Sequence, residues 1–116
     1  MYTSYYAESS QLSGSCQKSN EIEAINHLVD LLKEAKVQGI QSAVGINALY
    51  QTNLVWCFLL EDLAKPENTM PDQLKADLVS IGLFILKEVG RIRQNESDNL
   101  DALIDLNTMI STGLAQ

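Results

Sequence analysis

The sequence predicts an all-α protein: a compact bundle of about four helices over roughly 20–38, 44–64, 71–94 and 98–114, preceded by a loose arm over 1–19. Three observations carry that prediction. Apolar residues recur at helical spacing in four separate segments. No segment alternates polar and apolar side chains over a strand's length, and no repeat of fixed period appears. The segments are parted by stop signals: Gly39, then Pro66 and Pro71, then the polar run QNESDN at 94–99.

Residues 1–19, MYTSYYAESSQLSGSCQKS, are rich in Ser, Tyr and Gly without a helical period, and read as a flexible arm with Tyr2, Tyr5 or Tyr6 as its anchor. The first helix is expected to open near Asn20, with Glu23 as its capping partner. Ile22, Ile25, Leu28, Val29, Leu32 and Ala35 then make one stripe, opposite Glu23, Asn26, Asp30, Lys33 and Glu34. Gly39 stops it.

The second helix runs from about Val44 to Ala64, where Pro66 prevents regular continuation. Ala48, Leu49, Val55, Trp56, Leu59, Leu60 and Leu63 share one broad arc. The opposite face should be polar, yet Tyr50, Leu54 and Phe58 lie there at i, i+4, i+8 spacing. That is a surplus of apolar surface.

Pro71 suits the first turn of the third helix, where its missing N–H is not needed, and Asp72 complements the helix dipole. The main stripe of this helix is Leu74, Leu78, Ile81, Ile85, Val89 and Ile92. A second stripe, Val79, Leu83 and Leu86, sits beside Gly82 and Gly90. Asp77, Ser80, Lys87, Glu88 and Arg91 are left as a narrow polar edge. A helix this apolar is expected to touch two or more neighbours, as the central member of the bundle. The fourth helix carries Leu100, Leu103, Ile104, Leu106, Ile110 and Leu114 behind an acidic start at Asp98, Asp101 and Asp105. Asn107 falls inside its apolar stripe and must find a hydrogen-bond partner there.

At 116 residues the chain holds one domain, read as the arm over 1–19 and a single helical domain over 20–116. Its formal charge of −7, with eight scattered Lys and Arg, argues against direct contact with nucleic acid or an anionic membrane surface. The longest apolar run, Leu78 to Leu86, is about half of what a membrane span requires. The N-terminus has neither the basic nor the apolar region of a secretory signal. Cys16 in a polar segment and Cys57 in an apolar one do not read as a disulfide framework, and Cys57 reads as a small buried thiol. A cytoplasmic setting is the expectation.

Catalytic groupings do not assemble from this sequence. His27, the single histidine, sits on the polar face of the first helix, one turn after Glu23, with no further metal ligands in reach. Cys57 has no histidine or basic neighbour to activate it. GIQSAVG at 39–45 lacks the lysine and strand of a phosphate loop, and the adjacent Glu61 and Asp62 point in different directions. The expectation is a protein that is not an enzyme and uses no metal or cofactor. The residues its own core does not obviously need are Tyr50, Leu54 and Phe58, with Phe84 on the polar edge of the third helix. They are either a partner-binding surface or covered by the arm or a neighbouring helix.

Three stretches carry a family resemblance: NALYQTNLVW, EDLAKPENTMPDQLKADLVSIGLFIL and NLDALIDLNTMISTGL. They resemble the bacterial flagellar biosynthesis regulator family FlaF. Ala48, Leu49, Tyr50 and Trp56 match its first block. Asp62, Leu63, Ala64, Pro66, Glu67, Asn68, Pro71, Leu74, Ala76, Leu78, Ser80, Ile81, Gly82 and Leu83 match the long central block. Asn99, Leu103, Ile104, Ile110, Gly113 and Leu114 match the tail. The resemblance is strong over about 45–114 and extends to the first helix in character only. Departures are mild: Met70 and Val79 stand where the family prefers Leu and Ile, and Lys75 where Arg is usual.

The resemblance implies a cytosolic protein of flagellated bacteria that acts in the synthesis and export of flagellin, binds flagellin, and works beside the partner regulator FlbT. On that footing Tyr50, Leu54, Phe58 and Phe84 are the flagellin-binding candidates. An alternative is control of flagellin synthesis through FlbT without holding flagellin. The signature residues Trp56, Pro66, Glu67, Asn68, Pro71, Leu74, Ser80 and Gly82 read as architecture: a tight corner, and close helix approach at Gly82.

Overall fold

The first helical hairpin turns on Gly39. Its φ of +107° belongs to the left-handed region that favours glycine, and its N–H bonds the Ala35 carbonyl at 2.8 Å. In the computed structural model, which describes residues 14–115 with side chains from Asn20 onward, this turn ends α1 (Gly14–Gln38). Ser42 then caps α2 (Ala43–Leu63): its Oγ accepts the Gly45 N–H at 3.0 Å and donates to the Gly39 carbonyl at 2.6 Å. α1 begins at Gly14 rather than near Asn20, because nothing from Ser15 to Ser19 breaks a helix and Gln17 and Lys18 favour one. Asn20 and Glu23 are therefore interior residues, not a cap. The rest of the expected arm, with Tyr2, Tyr5 and Tyr6, lies outside the described residues.

The connector to α3 (Asp72–Arg93) is built around Asn68. Its Oδ1 accepts the Met70 N–H at 3.0 Å, its carbonyl accepts from Lys75 Nζ at 2.6 Å, and its Nδ2 donates to Asp62 at 3.3 Å. Pro71 takes the position just before the first helical turn. α3 ends in a Schellman turn: Asn95 adopts φ 61°, the Glu96 N–H reaches the Arg91 carbonyl at 2.9 Å, and the Asn95 N–H reaches that of Ile92 at 3.1 Å. Glu88 fastens this turn from below, accepting from Ser97 Oγ and from Arg91 Nη1. Asn99 opens α4 (Leu100–Ala115) by accepting the Ala102 N–H at 3.2 Å.

α1 lies against both α2 and α4, α2 carries α3 on its other side, and α3 and α4 meet only briefly. The core is formed by Ile25, Leu28, Leu32, Ala48, Trp56, Ile85, Val89, Ile92 and Leu103 with their neighbours. Each fully buried Leu or Ile contributes about 1.5–3 kcal/mol. Asn107 finds its partner in Trp56, whose Nε1 donates to Asn107 Oδ1 at 2.8 Å, and Ser111 Oγ donates to Asn26 Oδ1 between α4 and α1.

The central members are therefore α1 and α2, each packed against two other helices, and not α3. Leaning chiefly on one neighbour, α3 needs only the stripe Leu78, Gly82, Ile85, Val89 and Ile92. Leu83 of its second stripe is 57% exposed, Leu74 of its main stripe 41%, and Ile81 only half buried. Glu88, expected on the polar edge, is buried at 4% exposure because the Schellman turn folds Ser97 over it. α2 is long and apolar enough to cross a membrane by length and composition. Here it packs between α1 and α3 with Thr52 and Trp56 inside, Thr52 Oγ1 donating to the Ala48 carbonyl at 2.7 Å.

Candidate functional site

The outer face of α2 presents Ile46, Tyr50 and Leu54, one turn apart, at 59%, 55% and 41% exposure. Residues four apart advance 40° around a helix, so this line slants across α2 instead of running straight along it. Phe58 continues the line but is half buried and already engaged by other residues.

At its upper end the line opens into a groove of about 620 Å³, between the α1–α2 turn, the first turns of α2 and the end of α3. Ile40, Ala43, Ile46, Leu49, Tyr50 and Ile92 supply its apolar lining, and Arg93 lines it as well. A hydrogen bond of 3.0 Å from Gln41 Nε2 to Asn95 Oδ1 ties the two loops at this end together and holds the groove's walls in place.

Two of the four sequence candidates, Tyr50 and Leu54, thus stand together at the surface. Phe84 does not join them. It follows Gly82 by two residues, or about 200° around α3. Gly82 is the residue that faces α2: a Cβ there would lie 2.9 Å from Trp56 Cε3 and from Leu60 Cδ2. Phe84, 46% exposed, is therefore separated from the α2 line by the body of α3. Ile46, Ile40, Ile92 and Arg93 do not stand out as site residues in the sequence. Ile46 is within its reach, being the same four-residue step before Tyr50. The others depend on how two loops and two helix ends meet.

The signature residues divide the same way. Trp56, Asn68 and Gly82 are tied into the packing, whereas Pro66, Glu67, Pro71, Leu74 and Ser80 are exposed. His27 is exposed on α1, and Cys57 is half buried and free.

A second concavity lies at the opposite end, a narrow cleft of about 20 Å³ bordered by Glu21, Trp56, Asp62, Leu63, Met70, Leu78 and Leu114. Burial, and then the Asp62 carboxylate, push the Glu21 carboxyl up to about 7. Glu88 is shifted the other way: the Ser97 hydroxyl, and after it Arg91, hold its carboxyl below the usual range despite burial. Among the described residues no group of three or more His, Cys, Asp or Glu is placed to hold a metal ion.

These features define an all-α four-helix bundle that carries an apolar line and groove on its outer surface. The sequence pattern of the flagellar protein FlaF matches residues 2–114, nearly the whole chain, and the chain belongs to that family. The match reaches through α1, beyond the blocks over 45–114 that carry the resemblance. No curated protein and no solved structure matches the chain.

Proposed function

We propose that this FlaF-family protein is a cytoplasmic flagellin-binding export chaperone that also feeds back on flagellin synthesis. Flagellin's terminal segments are amphipathic and must stay unpolymerised before export, so they need a temporary apolar cover. The observation that carries the reading is the unbroken exposed line Ile46, Tyr50 and Leu54 running into an apolar groove. A flagellin helix laid with its apolar face on that line would bind in the helix-in-groove mode, with anchors at i, i+3/i+4 and i+7. The net charge of −7 directs any effect on flagellin mRNA through a protein, flagellin itself or FlbT, and not through direct RNA contact.

The test is calorimetric titration of the purified protein with monomeric cognate flagellin, wild type beside Ile46→Asp/Leu54→Asp. Circular dichroism checks that both are folded; the substituted side chains are exposed, so folding should survive. Loss of binding by at least about tenfold in the double variant is expected, since a charge placed against an apolar partner face costs more than the ~1.4 kcal/mol of one decade. Equal binding by both proteins would move the flagellin surface elsewhere. No binding by either would refute chaperone action and leave control through FlbT as the better account.

A further inference from the structure

The groove at the top of α2 has a chemical bias that goes beyond its apolarity. The chain carries 15 Asp and Glu against eight Lys and Arg, yet the groove's lining contains no carboxylate. Its single charged lining residue is Arg93, joined by the amides of Gln41 and Asn47.

Two cations near this end of the bundle, Arg91 and Lys36, are paired, and Arg93 is not. Arg91, two residues earlier, is held by Glu88 at 2.9 Å and by the Glu96 carbonyl at 3.3 Å. Lys36 is paired with Asp101 at 2.6 Å. Arg93 makes no hydrogen bond or ion pair with the described residues. Compensation of the α3 dipole accounts for a cation at either arginine. It does not account for an apolar groove cleared of acids around the unpaired one. An apolar trough with one convergent cation selects an apolar ligand that carries one anionic group at a fixed place.

We propose that the groove receives an amphipathic helix whose apolar ridge lies on Ile46, Tyr50 and Leu49, and whose carboxylate, from an Asp, a Glu or a chain terminus, pairs with Arg93. This rests on the reading of the groove as the flagellin-holding surface and deepens it: it fixes the direction in which the segment lies, with its acidic position at the α3 end of the groove. An anionic partner is the one this position favours; a basic segment would meet Arg93 with like charge and find no acid in the lining to offset it.

The experiment is titration of monomeric cognate flagellin into wild type, Arg93→Glu, Arg93→Lys, Lys87→Glu and Ile46→Asp, each at low and at raised salt. Lys87 is an exposed cation on α3 outside the groove, so its reversal changes the net charge by the same amount. The expected result is a tenfold or greater loss for Arg93→Glu, a loss of about threefold or less for Arg93→Lys, and little change for Lys87→Glu. Raised salt should weaken binding by wild type and relieve part of the loss in Arg93→Glu, where like charges face each other. If Ile46→Asp abolishes binding while Arg93→Glu binds like wild type, the carboxylate pairing is overturned and the groove stands as the flagellin site. If Lys87→Glu costs as much as Arg93→Glu, the effect is one of net charge and the pairing is again overturned. If wild type does not bind flagellin at all, the chaperone reading itself fails, and this inference with it.

Discussion

Replacing Asn107 by Leu isolates a buried polar contact that joins α2 to α4 through the core. Trp56 and Asn107 are at 1% and 0% exposure, and the Nε1–Oδ1 bond is 2.8 Å long. Leucine has the same branched side-chain skeleton as asparagine, so the substitution keeps the shape of the site close to native while stranding a buried indole N–H. Such a stranded donor costs about 1–3 kcal/mol. The bond from Asn107 Nδ2 to the Leu103 carbonyl is also lost, but that carbonyl has the backbone N–H of residue 107 as its helical partner, so its removal adds little. About 2 kcal/mol is expected, a large share of the ~5–15 kcal/mol that holds a domain of this size. It should appear as a fall in Tm of roughly 8 °C. Urea unfolding of Asn107→Leu, Trp56→Phe and the double variant completes a cycle. Because the double variant has neither the donor nor the acceptor, it should be less destabilised than the sum of the singles by about 1–2 kcal/mol. Simple additivity within ~0.3 kcal/mol would show that the bond carries no net energy and that Asn107 sets helix register, if anything, by shape alone.

Two further substitutions probe the packing and the buried charge. Gly82→Ala should destabilise by about 1–3 kcal/mol, since its Cβ meets a Trp56 ring that cannot withdraw without breaking the Asn107 bond. Gly90→Ala, where a Cβ meets nothing within 4 Å, should stabilise by roughly 0.5–1 kcal/mol; equal thermal stability of the two variants would refute the close α2–α3 approach. Glu21→Gln should flatten the pH dependence of stability. With its folded pKa raised from 4.5 to about 7, Glu21 contributes stability that is fully present below pH 4.5 and lost as pH rises through 7. The loss is of order 3 kcal/mol, at ~1.4 kcal/mol for each tenfold change in proton affinity. Glu88, shifted down, contributes in the opposite sense: its stability is present above the ordinary carboxylate range and lost as pH falls through its lowered pKa. It does so in both proteins, so the difference between wild type and Glu21→Gln, from urea midpoints at pH 5 and pH 8, isolates Glu21. A flat difference would refute the burial of its charge.

Helical period and stop signals are enough to place three of the helices within one or two residues and to show that Asn107 needs a partner. They cannot say which helix faces which. Leu74 and Leu83 look like core residues in the sequence because period reports only that a side chain is apolar and on a given side of its own helix. Whether a neighbour stands on that side is a property of the bundle, and α3 has a close neighbour on one side only. Glu88 escapes the pattern for a related reason: its burial is made by Ser97, nine residues on, folding back through a left-handed Asn95. The candidate surface is half legible. An apolar i, i+4 series on a face expected to be polar is visible in one dimension, and it marks Tyr50 and Leu54. The groove beside them is made by the α1–α2 turn and the end of α3, and no local pattern encodes that meeting.

The weak α3–α4 contact gives the architecture and the proposed site a common logic. α3 is held chiefly by α2, at Gly82 against Trp56 and Leu60, and Trp56 is in turn fixed to α4 through Asn107. The wall of the groove formed by Ile92 and Arg93 belongs to α3, while the wall formed by Ile46 and Tyr50 belongs to α2. The width of the groove depends on how closely α3 approaches α2, and the two helices come close at Gly82. A side chain there would spread the two walls without touching the groove. The signature residues Trp56 and Gly82 and the exposed line on α2 then act as one arrangement, the first pair fixing the spacing that the second needs. If the groove holds flagellin as proposed, Gly82→Ala should weaken that binding even at temperatures where it remains fully folded. Gly90→Ala, which adds a methyl group to α3 without pressing on α2, should not.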